Sequence, residues 1–162
     1  MYGIFGVGKT ELVKYLYLKI NKANKKIINI QKWIANYQLS WKFGSFENIN
    51  QTPSETLKSK EVLIFDDLGA EFIHFSTAPY IYKLFELRYE TTRLQNNFIT
   101  IITLIYSIDE LEKYYLKSLD NQTSKKIISR IKGIVDLEIR LDGDDKRDSE
   151  KAELINFNKE IF

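Results

Sequence analysis

The chain contains no cysteine, which excludes disulfides and thiolate metal sites within its 162 residues. Proline occurs only twice, at Pro53 and Pro79, so little interrupts regular structure. A single histidine, His74, leaves no material for a histidine metal cluster; it reads as a loop residue rather than a catalytic base. Long hydrophobic runs are missing as well: the stretch Ile101 to Tyr106 is far too short to span a bilayer, so no membrane association is expected. No basic-then-apolar leader precedes the first glycine, and a cytoplasmic location is the expectation. Charge of one sign is not in excess either. The net charge of +2 does not by itself indicate a nucleic-acid partner, and the lysines of 21–26 and 125–126 read as solvated helix ends before they read as phosphate contacts. With 44% hydrophobic and 28% charged residues, the composition is that of one folded domain.

Glycine is scarce too, seven in all, yet three of them are Gly3, Gly6 and Gly8. Residues 3–10, G-I-F-G-V-G-K-T, fit G-x-x-x-x-G-K-[ST] at every required position. Glycines let the backbone wrap tightly enough to point several N–H groups into one cavity, and a helix beginning at Lys9 adds its positive end. Lys9 is then placed to reach β- and γ-phosphates, and Thr10 to ligate Mg²⁺ through its hydroxyl.

Periodicity places this loop in an alternating pattern. Leu12, Val13, Leu16 and Ile20 predict a helix over 9–23, and 26–30 a short strand. Trp33, Ile34, Tyr37 and Trp41 fall on one helical face, and 44–54 reads as a polar loop. A buried strand is predicted at 62–67, a helix starting near Thr77 and Pro79, and a second buried strand at 98–106. Ser107-Ile108-Asp109-Glu110 has the capping-box form; a further helix covers 123–132 with Gly133 at its stop. Residues 135–141 alternate as an edge strand would. Strands alternating with helices imply a mainly parallel sheet in an α/β fold.

The strand at 62–67 ends in Asp66-Asp67. An acid at the carboxyl end of a parallel strand lies in the crevice where such sheets bind ligands. Asp66 is the expected metal residue, and Asp67 the one to orient or deprotonate an attacking water.

G-I-F-G-V-G-K-T together with V-L-I-F-D-D-L-G-A-E resembles the AAA+ ATPases of the DnaC/DnaI helicase loaders and the IstB transposition helpers. The likeness continues through Thr100-Ile101-Ile102-Thr103, Ser107-Ile108-Asp109-Glu110-Leu111, Lys126-Ile127-Ile128-Ser129-Arg130-Ile131 and Asp144-Asp145-Lys146-Arg147. It implies a P-loop NTPase of the AAA+/ASCE type: a three-layer sandwich whose core covers 1–147, with 148–162 as a tail carrying a short helix. It also implies ATP and Mg²⁺ as ligands and hydrolysis between protomers of a homo-oligomer formed with ATP, Arg130 being offered in trans to a neighbour's γ-phosphate. The nucleotide-binding set it implies is Gly3, Phe5, Gly6, Val7, Gly8, Lys9, Thr10, Glu11 and Arg147. Arg88 matches a position where the family often carries arginine, and reads as half of a structural ion pair. The implied partners are a replicative DNA helicase or a transposase, with single-stranded DNA nearby; Trp33, Tyr37 and Trp41 read as core before they read as a base-stacking stripe.

Three departures qualify the resemblance. Ile105 stands where the family has an asparagine that helps place the attacking water, so hydrolysis is expected to be slow or absent. The second acid is Asp67, where many AAA+ proteins use glutamate. Only Met1 and Tyr2 precede Gly3, so the first core strand is expected to be truncated. A helicase loader is the leading reading. A transposition helper and a catalytically silent nucleotide-binding module are the alternatives. A small-molecule kinase is remote, because no arginine-rich lid lies between the strands.

Overall fold

The structure, a computed structural model, describes residues 1–35, 57–71, 73–94 and 97–146. Three strands, β1 (Lys25–Asn29), β2 (Val62–Leu68) and β3 (Ile99–Leu104), form a parallel sheet in the order β1-β2-β3. The four helices with fully described bounds are α1 (Lys9–Lys19), α2 (Ala78–Leu94), α3 (Ile108–Leu116) and α4 (Asn121–Lys132). Helical turns at 30–35 and 57–59 are described; the predicted positions Tyr37 and Trp41, the loop predicted at 44–54, Arg147 and the tail 148–162 lie outside the described residues.

β2 is paired on both sides, which is why an unbroken run, Val62-Leu63-Ile64-Phe65, is buried there. Alternate side chains serve opposite faces. Leu63 and Phe65 join the main core, where the Phe65 ring meets Phe85 of α2 edge-on with centroids 5.2 Å apart. Val62 and Ile64, equally buried, lie outside that cluster on the face that α1 covers. Arg88 is fully buried in α2 and closes the amino ends of the strands. Its guanidinium donates to the carbonyls of Lys60 (2.7 Å), Glu61 (3.2 Å) and Ile99 (2.7 Å), and to the Thr100 hydroxyl (2.8 Å). The ion pair expected of it is replaced by strand carbonyls. Burial pushes its pKa down to about 10, which leaves it charged at neutral pH.

Several boundaries move for identifiable reasons. α1 ends at Lys19, short of the predicted 23, because the Lys25 ammonium reaches back to the carbonyls of Tyr17 and Ile20 and caps it. The capping box forms as predicted, Ser107 and Glu110 exchanging side-chain and backbone bonds at the start of α3. α4 starts earlier than predicted, because Asp120 caps it through the Thr123 amide. Gly133 follows α4 with ordinary helical φ of −73°, so its role there is space: a Cβ would stand 2.4 Å from the Tyr89 ring.

The strand predicted at 135–141 is the main correction. Residues 137–139 carry no regular structure, and Leu137 and Ile139 are exposed by 71% and 43%. Tyr2 bridges in parallel to Leu104 of β3 on one side and to Arg140 on the other, so Met1 and Tyr2 are a stub inserted between them. Beyond the stub lies a groove of about 660 Å³, lined by Ile99, Thr100 and Ile102 along β3 and by Ile134, Leu137 and Ile139 opposite.

Candidate functional site

The glycine loop leaves this stub and turns into α1. Its glycines answer to different constraints. Gly6 and Gly8 have φ of +78° and +89°, the left-handed region that side chains disfavour. At Gly3 the limit is contact: a Cβ would lie 2.3 Å from the Leu141 carbonyl oxygen. Gly8 occupies the N-cap of α1 and offers no side-chain cap, so the first amides of the helix are left to be satisfied by something else. Ile4 and Phe5 are exposed at the loop's tip, Val7 is buried beneath it, and Glu11 in the first turn pairs with Lys14. The Lys9 side chain lies back along the loop, its Nζ donating to the carbonyls of Gly3 (2.6 Å) and Ile4 (2.8 Å).

Across from the loop stands the carboxyl end of β2, whose geometry departs from a plain strand. Phe65 pairs with Ile102, but Leu68 pairs with Leu104, so Asp66 and Asp67 together face the single residue Thr103. This is a bulge, a feature that re-aims side chains at a strand end. Asp67 takes φ of +62°, the only positive value at a non-glycine residue among those described. Buried Thr103 holds the bulge from β3. Its hydroxyl donates to Asp66 Oδ1 at 2.7 Å and accepts from the Asp67 N–H at 2.9 Å.

Asp66 is thereby set against the loop, with its two oxygens 3.4 and 3.5 Å from the Thr10 hydroxyl. That spacing is close to the ~3 Å between neighbouring oxygens of an octahedral Mg²⁺ shell. One hydroxyl and one carboxylate are a fitting hard-oxygen pair for an ion that takes few protein ligands and completes its shell with phosphate and water. Burial, reinforced by the neighbouring Asp66 charge, raises the Asp67 carboxyl above the ordinary aspartate range; Lys9 partly opposes this.

The sequence-predicted residues do not all converge. Thr10 lies against Asp66, and Asp67 follows it in the bulge. Arg130, on α4, is engaged within its own chain: its guanidinium bonds Glu86 of α2 and lies over the Tyr89 ring, 5.1 Å from the centroid. This pairing lowers the Glu86 carboxyl's pKa. Arg147 lies outside the described residues. His74 sits in the loop before α2, beside Ser76. Trp33 is half-buried against the core.

Four residues at the site were not picked out from sequence. Thr103 is hidden in an apolar strand, and its signal is a polar residue in a run otherwise selected for burial. Glu71 is the last letter of D-D-L-G-A-E. Asp145 and Lys146 come from the segment after Leu141, which reaches the loop: Lys146 N–H donates to the Gly6 carbonyl at 3.1 Å, and the Asp145 carboxylate fills the space where a Cβ on Gly6 would stand.

No family model and no curated protein matches the sequence. Solved structures do match it. The DnaC helicase loader aligns at 23% identity and a TM-score of 0.58 over 86% of this chain and 74% of that one. DnaI aligns at 21% and 0.62 over 87% and 71%. AMPPCP-bound DnaA from Aquifex aeolicus aligns at 21% and 0.59 over 97% of this chain but only 44% of its own. Among the described residues no helix is long and apolar enough to cross a membrane. At these identities the likeness speaks for architecture, and the architecture is plain: the chain has the AAA+ P-loop fold of the DnaC, DnaI and DnaA structures.

Proposed function

We propose that this chain is an ATP-binding and ATP-hydrolysing AAA+ protein of DNA replication initiation that acts, as a DnaC/DnaI-like loader, on a replicative helicase. The observation that carries the reading is the approach of Thr10 and Asp66 to 3.4 Å across the mouth of a glycine loop whose helix start has no side-chain cap. The fold shared with the DnaC loader, and with a DnaA that binds a triphosphate analogue, supports it.

In this reading the amides of Gly6, Val7 and Gly8 and the first turn of α1 take the phosphate chain. Lys9 exchanges the Gly3 and Ile4 carbonyls for phosphate oxygens. Thr10 and Asp66 hold Mg²⁺, which when bound neutralises charge on the β- and γ-phosphates. Asp67 orients the attacking water and accepts its proton on a carboxylate whose raised pKa makes it a better base than an ordinary aspartate. Arg130 serves a neighbouring protomer only after giving up Glu86, which ties trans catalysis to assembly.

The test is MgATP binding by calorimetry, followed by turnover with and without single-stranded DNA and a replicative helicase. Parent protein binding MgATP, Lys9→Ala losing it, and turnover that rises with protein concentration are the expected results. A folded chain that binds no nucleotide ends the reading. Binding without turnover favours the silent module, a reading that the apolar Ile105 at the family's asparagine position keeps in view.

A further inference from the structure

The Asp67 turn is held from two sides, and only one of them, Thr103, comes from the sheet. The other is a buried carboxylate with no part in phosphate or metal binding. Glu71 is 2% exposed. Its Oε2 accepts from the Gly69 N–H at 2.6 Å, and its Oε1 accepts from the Tyr115 hydroxyl of α3 at 2.5 Å. Tyr114, next on the same helix, donates to the Glu71 carbonyl at 3.3 Å. Between Asp67 and Glu71 the chain makes a tight turn, closed by the Ala70 N–H on the Asp67 carbonyl at 3.3 Å. Gly69 has φ of +86°, which disfavours a side chain, and a Cβ there would stand 3.0 Å from Leu111 and 3.4 Å from Tyr106. Two left-handed residues, Asp67 and Gly69, thus follow each other within three positions.

Left-handed backbone at a non-glycine residue costs about 1 kcal/mol or more and persists only where its surroundings over-determine it. Solvated acids at a strand end would not require a second, buried acid to hold their turn. Burying a carboxylate is itself unfavourable, and burial raises the Glu71 pKa despite its hydrogen bonds.

We propose that Glu71 and Tyr115 are positioning residues for Asp67: together they clamp the Gly69 amide and so fix the direction in which the Asp67 carboxylate leaves the sheet. This rests on the reading of Asp67 as the residue that orients the attacking water. Neither Glu71 nor Tyr115 touches nucleotide. The pair also ties the turn to α3, so the site's alignment depends on how that helix sits.

The experiment uses the full chain with Tyr115→Phe, Glu71→Gln and Glu71→Ala. Glutamine keeps an oxygen for the Gly69 amide and an N–H₂ for the tyrosine oxygen, so it serves as the conservative rescue. The expected result is a tenfold or greater fall in kcat for Glu71→Ala and a smaller fall for Tyr115→Phe, with near-parent kcat for Glu71→Gln. KM and the MgATP Kd stay within about twofold throughout, a split that general loosening of the fold does not produce. Equal loss in Glu71→Gln and Glu71→Ala, unchanged kcat in Glu71→Ala, or KM moving in step with kcat overturns the proposal. Should Glu71→Ala not fold, the comparison of Tyr115→Phe with Glu71→Gln decides it on the same terms. Should the parent bind nucleotide without turnover, hydrolysis fails as a function while the clamp stays testable by amide exchange. Tyr115→Phe then speeds exchange at Gly69 at least tenfold with β3 amides unchanged, and equal rates at Gly69 overturn it.

Discussion

Replacing Thr103 by valine changes little in volume and removes one hydroxyl, and the bulge that aims both aspartates hangs on that hydroxyl. The oxygen donates to Asp66 Oδ1 at 2.7 Å and accepts from the Asp67 amide at 2.9 Å, at a fully buried position of β3. A hydrogen bond to a charged group is worth about 1.5–3 kcal/mol, and an amide left without an acceptor costs about 1–3 kcal/mol. The Asp67 amide is only partly buried, which puts its share at the low end, and the new methyl returns about 0.8 kcal/mol. The net expectation is a loss of about 2–4 kcal/mol. With a urea m-value of about 2 kcal/mol/M, the unfolding midpoint falls by about 1–2 M. Thr103→Ser keeps the hydroxyl and should recover more than half of the difference. In an Asp66→Ala background the valine should cost less, because one of the two bonds is already gone. A Thr103→Val midpoint within about 0.3 M of the parent, or a serine variant no better than the valine one, would refute the reasoning.

Arg88→Met should cost about 2–4 kcal/mol by thermal melt, because it leaves the partly buried carbonyls of Lys60, Glu61 and Ile99 without their donor at the ends of two strands. Arg88→Lys, which keeps the charge but not the fork, should fall between. Asp145→Asn takes a negative charge off the face of Gly6 and should tighten MgATP binding by about 1 kcal/mol, roughly fivefold in Kd, less so at high salt. The pH dependence of stability should carry the mark of Glu71. Its folded pKa is raised by burial, so between the unfolded and folded values the native state binds more protons, and stability falls as pH rises through that window. Urea midpoints taken from about pH 4 to pH 8 should therefore fall less steeply in Glu71→Gln than in the parent.

Much of this was legible because it is local. The apolar run before Asp66, the capping box at Ser107 and the glycine spacing each state their structure within a few residues, and each appears where it was read. What was not legible depends on residues distant in sequence. The extra residue in β2 is defined only against β3, so the bulge cannot be seen in D-D-L. Thr103 reads as ordinary β-branched filler until Asp66 and Asp67 are placed opposite it. Lys25 reads as one lysine of a basic cluster, yet it stops α1 four residues early. The alternation in 135–141 does not mark a strand: Leu137 and Ile139 are exposed, and only Arg140 of this stretch makes a bridge, to Tyr2.

Met1 and Tyr2 are bonded to the chain on both sides. Met1 donates to the Ile102 carbonyl at 2.8 Å and accepts from Leu104 N–H at 2.9 Å; Tyr2 donates to Ile139 at 2.9 Å and accepts from Leu141 at 2.7 Å. Three of these bonds are made by backbone amides and the fourth by the Met1 amino group, and Tyr2 bridges to both sides. Because β3 shows its Ile102 carbonyl and Leu104 amide to this edge, the two-residue repeat turns the backbone of Thr100 the same way, into the groove. β3 accordingly opens toward solvent at Ile99, 39% exposed, while β2 beside it is buried along its whole paired run. Past the loop, by contrast, α1 continues for eleven residues and Thr10 faces an aspartate locked by Thr103.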